Sequence, residues 1–310
     1  MIFFNKRASN LLIILVCLLA LFVFCQVADA AFTKVNHTEV NLASLVSPYN
    51  FTATKPTNTV EEQIMFTHIM FTGDRTIDSV PSGWGDCAGS SNPVASNTSQ
   101  VGYDFYLYCK VAGASEPSSW VWSLTGSAKV RAVVITYTAG EFEPTDIIDV
   151  ISNTAYTTSN TTVRGASMTV SAINSPLVFF GSVYETSGKT FTAPSATATW
   201  VEDVDSGHTN PDFWSSIYSM IWTSSGSTGN MDAILSSADT QKHAFVVALN
   251  PRLDVPQSYN ECFSTQAPYC GNASCPGSEY CYATSAPAPY WTESVASGTV
   301  NGNHMRVWNN

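Results

Sequence analysis

The chain has 310 residues, of which 12% are charged and 12% aromatic, and its formal net charge is −11. Binding to nucleic acid or to anionic lipid needs clustered Lys and Arg, so this acidic balance argues against both partners. The length is sufficient for one large β domain or two smaller ones.

Residues 1–30 have the pattern of a secretory signal peptide. A basic pair at residues 6–7 precedes an apolar run that ends near Cys25, and Ala28-Asp29-Ala30 fits the small-x-small cleavage rule. The apolar run is shorter than the roughly 20 residues that a membrane-spanning helix needs. We therefore expect cleavage after Ala30, a secreted protein, and no membrane span in the remaining chain.

Short β-branched and aromatic runs then alternate with clusters of Gly, Pro, Asn and Ser, while capped segments of helical period are absent. The clearest strand is 101–111, where Phe105, Leu107 and Cys109 share one face, which predicts a half-buried antiparallel strand. Further candidate strands are 64–71, 119–124, 129–138, 146–151, 166–173, 176–184, 196–201, 214–222 and 243–249. The pattern predicts an all-β fold, a two-sheet antiparallel β-sandwich of jelly-roll type over residues 31–252, and no internal repeat of fixed period is visible.

Six of the 8 cysteines follow the signal peptide, and an even number in an exported chain predicts disulfides. Cys87 and Cys109 are predicted to form a bridge that ties a Gly/Ser-rich loop to the strand 101–111. The other four crowd into a Cys-rich C-terminal segment, 253–310, where three pairings are open. These four are Cys262, Cys270, Cys275 and Cys281. Their spacing and the lack of a nearby His do not suit a zinc site, and no metal or other cofactor is predicted.

Five N-x-S/T sequons predict glycosylation sites on exposed loops in a cell with the glycosylation machinery. They begin at Asn36, Asn50, Asn97, Asn160 and Asn272.

Motifs for catalysis are weak. The chain has no G-x-S-x-G elbow, no HExxH and no phosphate-binding glycine loop, and no motif selects a pair of carboxylates for glycoside hydrolysis. An acidic run at 200–212 places Asp203 and Asp205 before Gly207, which makes a weak candidate for Ca²⁺. The alternative is a solvated loop between strands.

Two residues are candidates for binding a ligand. Trp84 lies in the Gly-rich stretch PSGWGDC and would offer a flat face to a sugar, or would plug one end of the sandwich. Glu116 lies at a Glu-Pro corner and would bind a sugar hydroxyl, or would be a solvated turn residue. In the following SWVWSL, Trp120, Trp122 and Leu124 share one face and are predicted to fill the core.

Landmark segments occur in a characteristic order between residues 55 and 252. They are IMFTHIMF (64–71), IDSVPSGW (77–84), YLYCKVAGASEPSSWVWSLTGS (106–127), AVVITYTAG (132–140), GSTGNMDAI (226–234) and AFVVALNP (244–251). Together they resemble a β-sandwich module of uncharacterised exported bacterial proteins and phage tail or fibre proteins. The resemblance implies the sandwich, a surface setting and a hairpin within 106–127, but no reaction. The cysteine pair, the sequons and the Cys-rich segment depart from that module.

These observations predict a secreted structural or adhesive extracellular glycoprotein without catalytic activity. A carbohydrate-binding module that recognises surface glycans is the first alternative, and a hydrolase acting on polysaccharides is the second. The predicted partners are glycans, other surface proteins or further copies of the chain.

Overall fold

The structure, a computed structural model, describes residues 32–252 apart from 88–89, 101, 141, 145, 186–187 and 196–198. The chain divides into two compact units, Met1–Arg252 and Leu253–Asn310. In the second unit only short strands are described, so the predicted signal peptide, Asn272 and the four C-terminal cysteines lie outside the described residues. No helix in the described part of the chain is long and apolar enough to cross a membrane.

The described residues form strands, turns and bends but no helix, which confirms the predicted all-β class. The first eight strands are β1 (Lys34–Leu42), β2 (Asn50–Thr54), β3 (Ile64–Thr72), β4 (Ile77–Ser79), β5 (Ala95–Gln100), β6 (Tyr103–Val111), β7 (Ser119–Leu124) and β8 (Val130–Tyr137). The strands that follow are β9 (Ile148–Tyr156), β10 (Asn160–Gly165), β11 (Thr169–Val170), β12 (Ser175–Tyr184), β13 (Phe191–Ser195), β14 (Val201–His208), β15 (Phe213–Trp222), β16 (Gly226–Ser227), β17 (Met231–Asp239) and β18 (Lys242–Leu249). The second unit contributes β19 (Thr292–Ser294), β20 (Thr299–Val300), β21 (Asn303–His304) and β22 (Val307–Asn309), with β19 paired to β22 and β20 to β21.

Strands β1 to β8 form the first jelly roll. A five-stranded sheet with the order β1-β8-β3-β6-β5 packs against a three-stranded sheet with the order β2-β7-β4. The antiparallel pairs β1·β8, β2·β7 and β3·β6 are nested inside one another along the chain, as they are in a jelly roll. The predicted antiparallel sandwich is confirmed.

Strands β9 to β18 repeat this arrangement as a second jelly roll. Its five-stranded sheet has the order β14-β15-β12-β18-β9, and its three-stranded sheet has the order β10-β17-β13. The pairs β9·β18, β10·β17 and β12·β15 are nested in the same way, and β11 and β16 form a small extra ribbon. The chain thus contains two rolls of one topology, where sequence analysis predicted a single sandwich and saw no repeat.

Three apolar cores separate four layers. One core fills each roll, and the third, here called the middle core, lies between the two five-stranded sheets. The first sheet sends Phe66 and Ile135 into it, and the second sends Phe180 and Phe245. Strands β3, β8, β12 and β18 are therefore buried on both faces.

Strand β6 is buried on both faces as well, which corrects the predicted half-buried strand. Phe105 and Leu107 pack into the middle core, while Tyr106 and Tyr108 face the interior of the first roll. The face that the sequence pattern left to solvent, with Tyr106 and Tyr108, is covered within the first roll, and the predicted core face packs against the second roll. Partner strands this distant in sequence are not visible in a local pattern.

The stretch around the Glu-Pro corner is not a hairpin. Strand β6 belongs to the five-stranded sheet, whereas β7 pairs with β2 and β4 in the three-stranded sheet. The corner therefore carries the chain from one sheet to the other. Trp120, Trp122 and Leu124 are at most 4% exposed in the core of the first roll, as predicted.

The predicted Cys87–Cys109 disulfide is confirmed, with its two Cα atoms 5.3 Å apart. Cys109 is buried in β6, and the backbones of Gly85 and Cys109 exchange two hydrogen bonds of 3.0 and 2.8 Å. The bridge fastens the loop before β5 to the C-terminal half of a buried strand.

We expect Cys87→Ser to lower the free energy of unfolding by about 3 kcal/mol, because the unfolded chain regains the freedom of the closed loop. The two cysteines are 22 residues apart in sequence. Urea unfolding of the wild type and the variant, with and without a reducing agent, measures the effect. Equal unfolding midpoints without the reducing agent would show that the bridge contributes nothing.

Two histidines lie in the middle core. His68 of β3 packs against Phe180 and Phe245 at ring distances of 5.7 and 5.8 Å, and neither ring nitrogen has a hydrogen-bond partner. His243 of β18 stacks on Phe105 at 4.7 Å. Burial, with a smaller effect from the charge of Arg131, lowers the pKa of His68 to about 3. Burial and the neighbouring His68 also lower the pKa of His243 well below its ordinary value.

The middle core should therefore weaken in acid. The unfolded His68 takes up a proton near its ordinary pKa of 6.5, whereas the folded one does so only at about 3. The contribution of His68 to the free energy of unfolding is therefore fully present above pH 6.5 and is lost as the pH falls toward about 3. Between about pH 7 and about pH 4.5 we expect the wild type to lose about 2–3 kcal/mol more than His68→Phe. Urea unfolding at both pH values tests this, and equal losses in the two proteins would contradict it.

Candidate functional site

A groove of about 450 Å³ opens at one edge of the first roll. It lies between β4 of the three-stranded sheet, β6 of the five-stranded sheet and the loop that leads into β5. The lining residues are Thr76, Ile77, Asp78, Ser79, Val80, Ser91, Asn92, Pro93, Tyr106 and Tyr108.

The floor of the groove is formed by Tyr106 and Tyr108, which are only 7% and 2% exposed. Their rings are stacked at 6.3 Å, and Tyr106 also stacks on Phe71 at 5.5 Å. Neither hydroxyl makes a hydrogen bond to another described residue. Neither hydroxyl oxygen is among the enclosed, unpaired polar atoms of the described chain. Because both residues line the groove, we infer that both hydroxyls open into it. Burial raises the pKa of both phenols, which keeps them protonated and able to donate.

The walls of the groove carry short polar side chains. Asp78 and Ser79 come from the exposed side of β4, and Ser91 and Asn92 come from the opposite loop. Asp78 accepts a hydrogen bond of 3.4 Å from Ser123 on the neighbouring β7. The groove therefore combines hydroxyl and amide groups with one carboxylate.

Trp84 does not border the groove. Its side chain is 2% exposed and packs against Trp120 at 5.1 Å and Trp122 at 5.7 Å. A buried indole offers no face on which a sugar can stack, so the structure places Trp84 in the plugging position that sequence analysis held as the alternative.

Glu116 is not solvated, because its side chain is only 6% exposed. Its Oε1 accepts a hydrogen bond of 2.8 Å from the backbone of Gly113 and lies 3.2 Å from the Lys110 ammonium group. Lys110 in turn donates to the carbonyl of Ser82, in the loop of Trp84. Glu116 therefore holds the corner against that loop and does not face a ligand.

The acidic run at 200–212 is largely the strand β14, where sequence analysis considered a loop. A bulge near Asp203 turns its carboxylate toward Tyr137, whose hydroxyl donates to it at 2.7 Å. Asp205 instead accepts a hydrogen bond from the backbone of Phe191 on β13, on the other side of the sheet. The two carboxylates therefore do not face a common ion. Gly207 is needed because the indole of Trp214 covers it and leaves no room for a Cβ atom.

In the part of the chain that the structure describes, no group of three or more His, Cys, Asp or Glu side chains could hold a metal ion.

A polar cluster, here called the seam, lies where β1 and β8 of the first roll meet β14 and β15 of the second. At its centre is Arg131, whose side chain is fully buried. The guanidinium donates to Asn41 at 2.7 Å, to Ser206 at 2.7 Å and to Ser215 at 3.3 Å. It also lies 3.1 Å from Glu39, which accepts a hydrogen bond from Ser206. Burial lowers the pKa of Arg131, and the nearby Glu39 carboxylate opposes this effect.

Among the described residues, the carboxylates of Glu185 and Asp239 are neighbours. Burial, reinforced by the hydrogen bond and charge of Glu185, raises the pKa of Asp239. The buried Lys189 ammonium group lies 3.7 Å from each of them. In glycoside hydrolases the two carboxyl groups stand about 5–9 Å apart with the sugar between them. Here both carboxylates instead lie beside the same internal cation, Lys189, which is a structural arrangement.

The sequons differ in exposure. Asn50 is exposed at the start of β2, as predicted, whereas Asn36 and Asn160 are half-buried within strands. Asn160 also accepts hydrogen bonds from the buried Lys242 through its backbone carbonyl and its side-chain oxygen. The side chain of Asn97, in β5, lies outside the described residues.

Sequence reasoning missed the groove because it assigned Tyr106 and Tyr108 to the outward face of their strand. Two tyrosines at alternate positions of a strand were the available signal.

No known protein family, curated protein or solved structure matches the chain.

Loss of the buried Arg131 should weaken the contact between the rolls. We expect Arg131→Met to lower the free energy of unfolding by about 3 kcal/mol, because it leaves the Glu39 carboxylate without its cation and removes the bonds to Asn41, Ser206 and Ser215. The matched control is Arg164→Met. Arg164 pairs with Asp232 through two bonds of 2.7 Å but has a 41% exposed side chain.

For Arg164→Met we expect a loss below about 1 kcal/mol. Chemical denaturation of both variants makes the comparison. Equal losses would mean that the seam is no more important than a surface ion pair.

Proposed function

We propose that this protein is a secreted adhesive protein that acts by binding, without catalysis. The observation that carries the proposal is the four-layer stack, in which the two rolls share a continuous apolar core. Such a stack resists bending between the rolls, because any hinge would expose the middle core to water. A stiff body that presents loops and strand edges suits attachment to a surface.

The internal contacts of the buried polar side chains support this proposal. Arg131, Glu39 and Asp203 are engaged between the rolls, and Glu116 fixes a turn. The close carboxylate pair of Glu185 and Asp239 is held by an internal lysine. These groups maintain the shape of the molecule, and the groove in the first roll is left as a place for a partner.

Features of the sequence support an extracellular location for this function. The leader at 1–30 and the sequons support export and glycosylation, and the Cys87–Cys109 bridge suits an oxidising compartment.

The test uses the chain secreted from a eukaryotic host, with N-terminal sequencing to locate the cleavage site. Beads coated with the folded protein should stay attached to cells or insoluble polysaccharides under flow, and beads coated with heat-denatured protein should not. The same preparation should release no reducing ends from polysaccharides. Absence of attachment to every surface tested, or the release of sugars, would contradict the proposal.

A further inference from the structure

We infer that the groove between β4 and β6 binds one uncharged sugar unit of a surface glycan. This inference rests on the proposed adhesive function and supplies its ligand class. Its volume of about 450 Å³ lies within the roughly 300–1,000 Å³ of small-molecule sites. That is large enough for a single sugar ring with its substituents.

The unpaired tyrosine hydroxyls are the first support. Tyr106 and Tyr108 are more than nine-tenths buried, yet their hydroxyls are directed to the groove without a hydrogen-bond partner in the described chain. Buried hydroxyl groups normally have a partner, since leaving one unpaired costs free energy. A ligand that supplies acceptors and donors at the floor would complete these bonds.

The second roll provides an internal comparison. Its strand β15 corresponds to β6, and there Tyr218 faces the roll interior. The Tyr218 hydroxyl is paired with the backbone carbonyl of Phe191 at 3.2 Å and with Glu202 at 3.4 Å. Phe191 lies on β13, which corresponds to β4. In the second roll the chain itself therefore satisfies the tyrosine, and in the first roll it does not.

The walls select an uncharged, hydroxyl-rich ligand. Asp78 repels acidic sugars and phosphates, as does the net charge of −11. The other polar groups of the groove, among them Ser79, Ser91 and Asn92, are neutral donors and acceptors of the kind that bind sugar hydroxyls. Because the tyrosine rings are covered by neighbouring rings, recognition is by hydrogen bonds and not by stacking.

The experiment is a glycan array probed with the full secreted chain. The array includes glycans that end in neutral hexoses or N-acetylhexosamines and glycans that end in sialic or uronic acids. We expect saturable binding to one neutral class. Affinity for that glycan, measured by calorimetry, should fall about 5- to 10-fold in Tyr106→Phe and in Tyr108→Phe, one hydrogen bond being lost in each.

The controls separate binding from folding. Tyr49→Phe removes a hydroxyl outside the groove and should leave the affinity unchanged. Asp78→Asn changes an exposed wall residue and should weaken binding, whereas the exposed Asp74→Asn should not. Thermal melting checks that each variant is folded.

Binding to acidic glycans alone, or unchanged affinity in the groove variants, would overturn the inference. So would an array without any binding while coated beads still attach to cells, and in that case the adhesive function would stand. Absence of attachment as well would remove both.

Discussion

The structure depends on the apolar contact between the two five-stranded sheets. Each of these sheets also covers the core of its own roll, so its central strands have no face left for water. This explains why β3, β8, β12 and β18 are nearly continuous apolar runs, although their sheets are antiparallel. Antiparallel strands normally alternate apolar and polar residues, because one face of the sheet is exposed to solvent. Here that face of each five-stranded sheet is covered by the other roll.

That constraint also determines the environment of the polar residues buried between the two sheets. Arg131 remains charged because Glu39 and three neutral acceptors surround its guanidinium. His68 has no such partner, so it stays neutral among aromatic rings. The hydrophobic effect is non-directional, whereas a buried arginine has few positions in which its bonds are complete. The seam therefore fixes how one roll is placed on the other, and the apolar contact supplies most of the free energy.

The same constraint explains which elements the sequence predicts. Strands buried on both faces, such as β3, β8 and β18, and the aromatic β7 lie close to the predicted segments. The outer strands β1, β10 and β17 went unpredicted, because their Ser, Thr, Asn and Asp residues resemble loops. The duplication is also hidden, since both rolls follow one topology with different side chains. Of the candidate ligand residues, Trp84 and Glu116 have structural roles, and the groove depends on β4, β6 and a loop whose meeting no local pattern reveals.

Duplication also gives the groove a physical rationale. Two rolls of one topology have equivalent edges, and an edge that only needs to be stable can be closed by its own chain. The second roll does this when Tyr218 bonds to Phe191 and Glu202. The first roll leaves Tyr106 and Tyr108 open to the groove at the equivalent edge, while the disulfide at Cys109 and the Lys110–Glu116 pair hold the surrounding loops. A rigid opening with unpaired donors favours a ligand, because neither loop order nor side-chain order must be gained on binding.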